Sequence, residues 1–116
     1  METNIIENKS FEFAVRAINL YKHLLSKNEY VLSKQFLRAA TSIGANVSEA
    51  QRAQSKADFR AKINIALKES NETSYWLKLM YRTDYISNTE YTSMYKDLDE
   101  IISILTAICK TTENKI

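Results

Sequence analysis

Four stretches of the chain place apolar residues at alternating three- and four-residue steps, the rhythm of a helix with one buried face. From about Ser10 to Ser26 the series is Phe11, Ala14, Val15, Ile18, Tyr21 and Leu25. From about Tyr30 to Arg52 it is Leu32, Phe36, Ala39, Ile43, Asn46 and Ala50, with one asparagine in the seam. A third series from about Lys56 to Asp84 runs Phe59, Ile63, Ala66, Ser70, Thr73, Leu77 and Met80, and its middle is small and polar. The fourth, from about Thr89 to Thr111, is Tyr91, Met94, Leu98, Ile101, Leu105 and Ile108, widened by Tyr95, Ile102 and Cys109. Short polar breaks, such as Lys27 to Glu29, separate the segments. Short connections favour antiparallel neighbours, so the pattern predicts an all-α, up-down-up-down four-helix bundle over residues 1–116 as one domain.

The ends of these segments carry their own signals. Ser10 is the expected N-cap of the first helix, and Asn88 or Thr89 that of the fourth. Ser55 with Asp58 three residues later is a variant capping box before the third. Gly44 falls inside the second helix, where glycine costs about 1 kcal/mol relative to alanine. Close approach of a neighbouring helix is the simplest reason for it.

With no proline and only one glycine in 116 residues, a sheet rich in tight turns is disfavoured. No apolar run approaches the roughly 18 residues of a membrane span. The beginning, METNIIENKSFEF, lacks the basic and apolar regions of an export signal. The expectation is a soluble, cytoplasmic protein with no membrane contact. Net charge is +2, but it is unevenly placed. Residues 1–87 hold 13 basic and 9 acidic residues, 13 − 9 = +4, and residues 88–116 hold 3 and 5, 3 − 5 = −2. The first three segments therefore carry a basic excess and the fourth an acidic one.

Candidate chemistry narrows quickly. Glu69 and Glu72 raise a di-iron carboxylate bundle, but that site needs Glu-x-x-His on two helices. The single histidine, His23, has no glutamate three residues before it, so no metal is expected. His23 instead suits the C-terminal end of the first helix, where positive charge is favoured. Cys109 is alone, on an apolar face, and is expected to pack as a small hydrophobe. No glycine-rich phosphate loop is possible with one glycine. Neither a cofactor nor an enzymatic activity is expected.

Three groups of residues remain. Arg38, Ser42, Asn46, Glu49, Glu69 and Thr73 interrupt the apolar faces of the second and third helices. An unpaired buried polar group costs roughly 1–3 kcal/mol, so such residues are expected to pair. They form either a binding constellation or an interhelical network that sets register, and register is favoured because such pairs commonly serve it. Basic residues Arg52, Lys56, Arg60 and Lys62 cluster around the turn between these helices, and Lys68, Lys78 and Arg82 continue along the third. They are either an ordinary solvated face or a surface for phosphates. Around Tyr75, Trp76, Leu79 and Tyr81 the third helix is apolar on more than one side, which predicts burial against a second subunit.

The stretches LSKQFLRAATSIGANVSEA and DFRAKINIALKESNETSYWLKLM resemble a bacterial four-helix-bundle family named after proteins encoded in intervening sequences of 23S ribosomal RNA genes. The resemblance rests on Gln35, Arg38, Ala39, Ala40, Ser42, Ile43, Ala45, Asn46 and Glu49, then on Phe59, Ile65, Ala66, Glu69, Thr73 and Leu77, and extends over nearly the whole chain. It departs at Gly44, where relatives often carry proline, and at Ala50, where they often carry glycine. Ala50 is expected to let the second helix run further before turning. The resemblance implies an up-and-down bundle assembled into a pentameric ring. A related branch, the accessory proteins of diversity-generating retroelements, binds nucleic acid and a reverse transcriptase. The combined expectation is a homo-oligomer, with a pentamer favoured, binding RNA, DNA or a nucleic-acid-processing protein. The alternative is a protein–protein scaffold or accessory protein without nucleic-acid contact.

Overall fold

The computed structural model describes residues 4–113, which form four helices: α1 (Ile5–Ser26), α2 (Leu32–Ala50), α3 (Lys56–Arg82) and α4 (Asn88–Glu113). Contacts run α1–α2, α2–α3, α3–α4 and α4–α1, while the diagonal pairs stay apart, so the helices make an antiparallel square. The α1–α4 seam is the thinnest of the four. Phe13, Leu24, Phe36, Ile43, Ile63, Leu77, Met80, Leu98, Ile101 and Leu105 fill the centre. On α3 and α4 the buried residues follow the predicted series closely, with Phe59, Tyr91 and Ile108 half-buried at the ends. On α2, Ser33, Ala40 and Val47 join the predicted face.

Helix α1 departs from the sequence pattern. It starts at Ile5, capped by Asn4, whose side-chain oxygen accepts from the Glu7 amide at 3.1 Å. Its buried face is Ile6, Ser10, Phe13, Ala17, Leu20 and Leu24. The predicted face points outward instead: Phe11 is 64% exposed, and Val15 and Ile18 are each 40% exposed. Two apolar stripes share this helix, and Ser10 interrupts the one that packs. That serine is no cap. It is buried beside Gly44 of α2, where a larger residue would hold the helices apart.

The connections are built without glycine. Asn28 and Asp84 take positive φ, 65° and 68°, at the ends of α1 and α3. The following amides, of Glu29 and Tyr85, reach back to the carbonyls of Leu24 and Met80, completing a left-handed helix cap at each end. Asparagine and aspartate tolerate this conformation better than other side-chain-bearing residues. Helix α2 stops at Ala50, short of the predicted Arg52, and the amides of Arg52 and Ala53 bond to carbonyls three residues back. Ala50 thus ends the helix rather than extending it.

Helix starts are capped by side chains. Ser55 Oγ accepts from the Asp58 amide at 3.0 Å, and the Asp58 carboxylate accepts from Gln54, one residue before the cap. For α4 the cap is Ser87, not Asn88 or Thr89. Ser87 Oγ accepts from the Glu90 amide at 3.1 Å, and Glu90 accepts from the Ser87 amide at 2.9 Å, a reciprocal capping box. Those bonds from Ser87 outweigh partial burial and hold the Glu90 carboxyl below the usual range. For α2 the cap comes from Glu29, which is buried and accepts from the amides of Val31, Leu32 and Ser33.

Candidate functional site

The polar residues of α2 and α3 divide into two kinds. Arg38 reaches across to Glu69 at 3.5 Å and pairs with Glu72 as well. Near the other end of α2, Glu49 pairs with Lys62 at 3.0 Å. The hydrogen bond that Lys62 donates to Glu49, and then the charge of that carboxylate, raise the Lys62 pKa. Ser42, Asn46 and Thr73 bond within their own helices. Ser42 Oγ donates to Arg38 O, the Asn46 amide to Ser42 O and Thr73 Oγ1 to Glu69 O. Hydroxyl and amide groups that return to a carbonyl one turn back need no partner on a neighbouring helix. Of the six residues, three therefore cross between helices, Arg38 with Glu69 and Glu49 with Lys62, and the other three bond within one helix.

The aromatic corner of α3 is largely occupied by the chain itself. Tyr81 stacks on Tyr91 of α4, with ring centroids 4.5 Å apart and planes 9° from parallel. Trp76 packs against the core and donates its indole N–H to Glu72 at 3.1 Å. Those contacts account for much of the apolar character that predicts a subunit interface there. Tyr75 stands outside them, 60% exposed, with its ring edge-on to Trp76 at 5.1 Å. An open cleft of about 400 Å³ lies between Tyr75, Lys78, Leu79 and Arg82.

The seven basic residues do not share one surface. Lys62 is turned toward α2 by Glu49. Lys56 and Arg60 flank a cleft of about 480 Å³ at the α2–α3 turn, with Ala50, Ala53 and Phe59 among its lining residues, and Arg52 is exposed in that turn. Lys68, Lys78 and Arg82 lie on the outward side of α3 with Asn64, Asn71 and Tyr75, all exposed. The spacing explains the alignment. Asn64, Asn71 and Lys78 are seven residues apart, as are Lys68, Tyr75 and Arg82, and seven residues return a helix to nearly the same side. The carboxylates of this part of α3, Glu69 and Glu72, face α2 and are engaged by Arg38. Among the described residues Lys68, Lys78 and Arg82 form no ion pair. Heptad spacing in the sequence could have found this stripe, which composition alone did not separate from the turn cluster.

The remaining candidates have structural surroundings. Cys109 is half-buried, packs against the core and lies 3.0 Å from Asn64 Oδ1. His23 is exposed in the last turn of α1. Lys9 and Arg16 of α1 pair with Glu100 and Asp97 of α4, so acidic residues of α4 are matched to basic residues of α1. Among the described residues no group of three or more His, Cys, Asp or Glu is placed to hold a metal ion. No described helix is long and apolar enough to cross a membrane.

Comparison with known proteins places this geometry in a family. A solved structure of a protein of unknown function from the S23 ribosomal protein family of Bacteroides thetaiotaomicron VPI-5482 is 56% identical, with a TM-score of 0.89 over 90% of this chain and 98% of that one. No functionally curated protein matches. The family model for the 23S rRNA-intervening sequence protein matches residues 2–107. The chain belongs to the family of 23S rRNA-intervening sequence proteins.

Proposed function

We propose that this chain is a non-catalytic, homo-oligomeric binding protein whose ligand is nucleic acid, held by the outward face of α3. The observation that carries it is the exposed stripe of Lys68, Lys78 and Arg82, interleaved with Asn64, Asn71 and Tyr75 and free of carboxylates. Positive side chains without neighbouring negative ones bind phosphates without reading sequence. Glu69 and Glu72 lie on the side toward α2, where Arg38 pairs with both and offsets one of their two charges. Arg52, Lys56 and Arg60 extend the positive surface to the α2–α3 turn.

Assembly supports the same reading. The resemblance to pentameric relatives favours a ring, and the outward stripe of Phe11, Val15 and Ile18 is an apolar surface for subunit contact. Helices α1 and α3 are diagonal in the square, so the α1 stripe and the α3 stripe are separate surfaces of the subunit. Repetition of the stripe in each subunit multiplies weak phosphate contacts into useful avidity.

A salt series tests it. Purified protein is titrated with structured RNA and duplex DNA from about 50 to 200 mM salt. Binding that falls steeply with salt is expected, with a shallower slope after Lys68, Lys78 and Arg82 are replaced by alanine. Absence of binding at the lowest salt would favour a protein scaffold in its place.

A further inference from the structure

We infer that Tyr75, with Lys78 and Arg82, is a stacking site for a base of single-stranded nucleic acid. This deepens the nucleic-acid reading above and rests on it. Tyr75 faces solvent in the C-terminal third of α3, and at 60% exposure its ring gains little from the fold. Its surroundings hold it in place. The ring meets the Trp76 indole edge-on at 5.1 Å, and that indole is fixed by its 3.1 Å hydrogen bond to Glu72. Glu72 is held in turn by Arg38 from α2. A chain of contacts from α2 thus braces one side of an exposed aromatic ring.

Charge is arranged on both sides of that ring. Lys68 lies seven residues before Tyr75 and Arg82 seven residues after, roughly 10 Å each way along the axis at 1.5 Å per residue. Lys78 and Leu79 lie one turn on and, with Arg82, line the cleft of about 400 Å³ beside the ring. A strand passing along α3 meets cation, aromatic ring and cation in turn. Phosphates engage the lysines and arginine, and a base lies on the tyrosine, the combination that sequence-tolerant single-strand binders use. Duplex nucleic acid can meet the cations of this arrangement but not its ring. Its bases are already stacked on one another, and a ring on a convex helix cannot reach between them.

Fluorescence anisotropy with labelled single-stranded RNA, and with a hairpin of the same length, tests the inference on the full-length protein. Wild-type protein is expected to prefer the single strand. Tyr75→Ala should weaken single-strand binding about 5- to 150-fold, the effect of losing one stacked base. It should leave hairpin binding and the salt slope unchanged. Tyr75→Trp should retain single-strand binding, and Tyr75 is exposed enough that circular dichroism should show all three proteins folded. Equal single-strand binding by wild type and Tyr75→Ala would overturn the stacking site. If Lys78→Ala and Arg82→Ala still weakened binding, the nucleic-acid reading would survive that result. Absence of binding to either probe at low salt would overturn both.

Discussion

Gly44 packs against the backbone of Ser10 where α1 crosses α2, and a methyl group at Gly44 would lie 3.3 Å from the Ser10 carbonyl oxygen. That is tighter than ordinary van der Waals contact, and the opposing atom is backbone, which cannot swing aside. The same crossing explains why Ser10 is buried: a small residue from each helix lets the pair close.

Two opposing effects set the outcome at Gly44. Alanine removes a helix-interior glycine, a gain of about 1 kcal/mol, but forces α1 outward by a few tenths of an ångström. Gly44→Ala is therefore expected to change stability by less than about 1 kcal/mol. Gly44→Leu has no such compensation and should cost roughly 1–3 kcal/mol by overpacking. Urea unfolding of both variants measures the difference. A leucine variant as stable as wild type would show that α1 is not held tightly at this point.

Glu29 links stability to pH. Burial opposes its charge, but hydrogen bonds from the amides of Ser33, Leu32 and Val31 more than offset this and hold its carboxyl below the usual range. A carboxyl with a lowered folded-state pKa contributes stability above its unfolded value, about 4.3, and loses that contribution as pH falls through the folded value. Glu29→Gln should thus cost about 1–3 kcal/mol at pH 7. The deficit should shrink toward pH 3. Paired denaturant titrations at pH 7 and pH 3 are the check, and a deficit independent of pH would place the loss in packing instead of charge.

The α1 stripe bears on assembly. Replacing Phe11 and Val15 by aspartate puts two charges on a surface that is already exposed within one chain, so the fold should be kept. If α1 joins the subunits, light scattering should report a fall in mass to the monomer with unchanged helix content. An unchanged oligomer would move the interface elsewhere, with the exposed Tyr75 and neighbouring Leu79 the next surface to test.

Residues of α3 and α4 show how much of the fold was legible. Ile63, Ala66, Leu77 and Met80, and Met94, Leu98, Ile101 and Leu105, are buried as their spacing predicts, because each helix has one dominant apolar stripe. Helix α1 has two. Periodicity cannot choose between equivalent stripes, and the longer-looking one, through Phe11 and Ile18, is the one left outside. The cap at Ser55 and Asp58 was legible, whereas the equally local Ser87–Glu90 box and the Asn4 cap were missed. Glu29 was not legible, since an acid in a polar break gives no sign that it will be buried over three amides.

The candidate site was legible in composition and only in part in arrangement. Seven basic residues were evident from the chain, and heptad spacing groups Lys68, Lys78 and Arg82, but only the packed helices show Lys62 held by Glu49. Arg38 was expected to pair, but Glu72 as its second partner depends on how α2 and α3 align. The sequence by itself determined four helices, their antiparallel order and the family, since these follow from local spacing and residue identity. Tertiary structure alone decided which stripe of α1 is buried, which charges cancel and which side of Tyr75 meets solvent. Those outcomes depend on contacts between residues far apart in the chain, which no local pattern encodes.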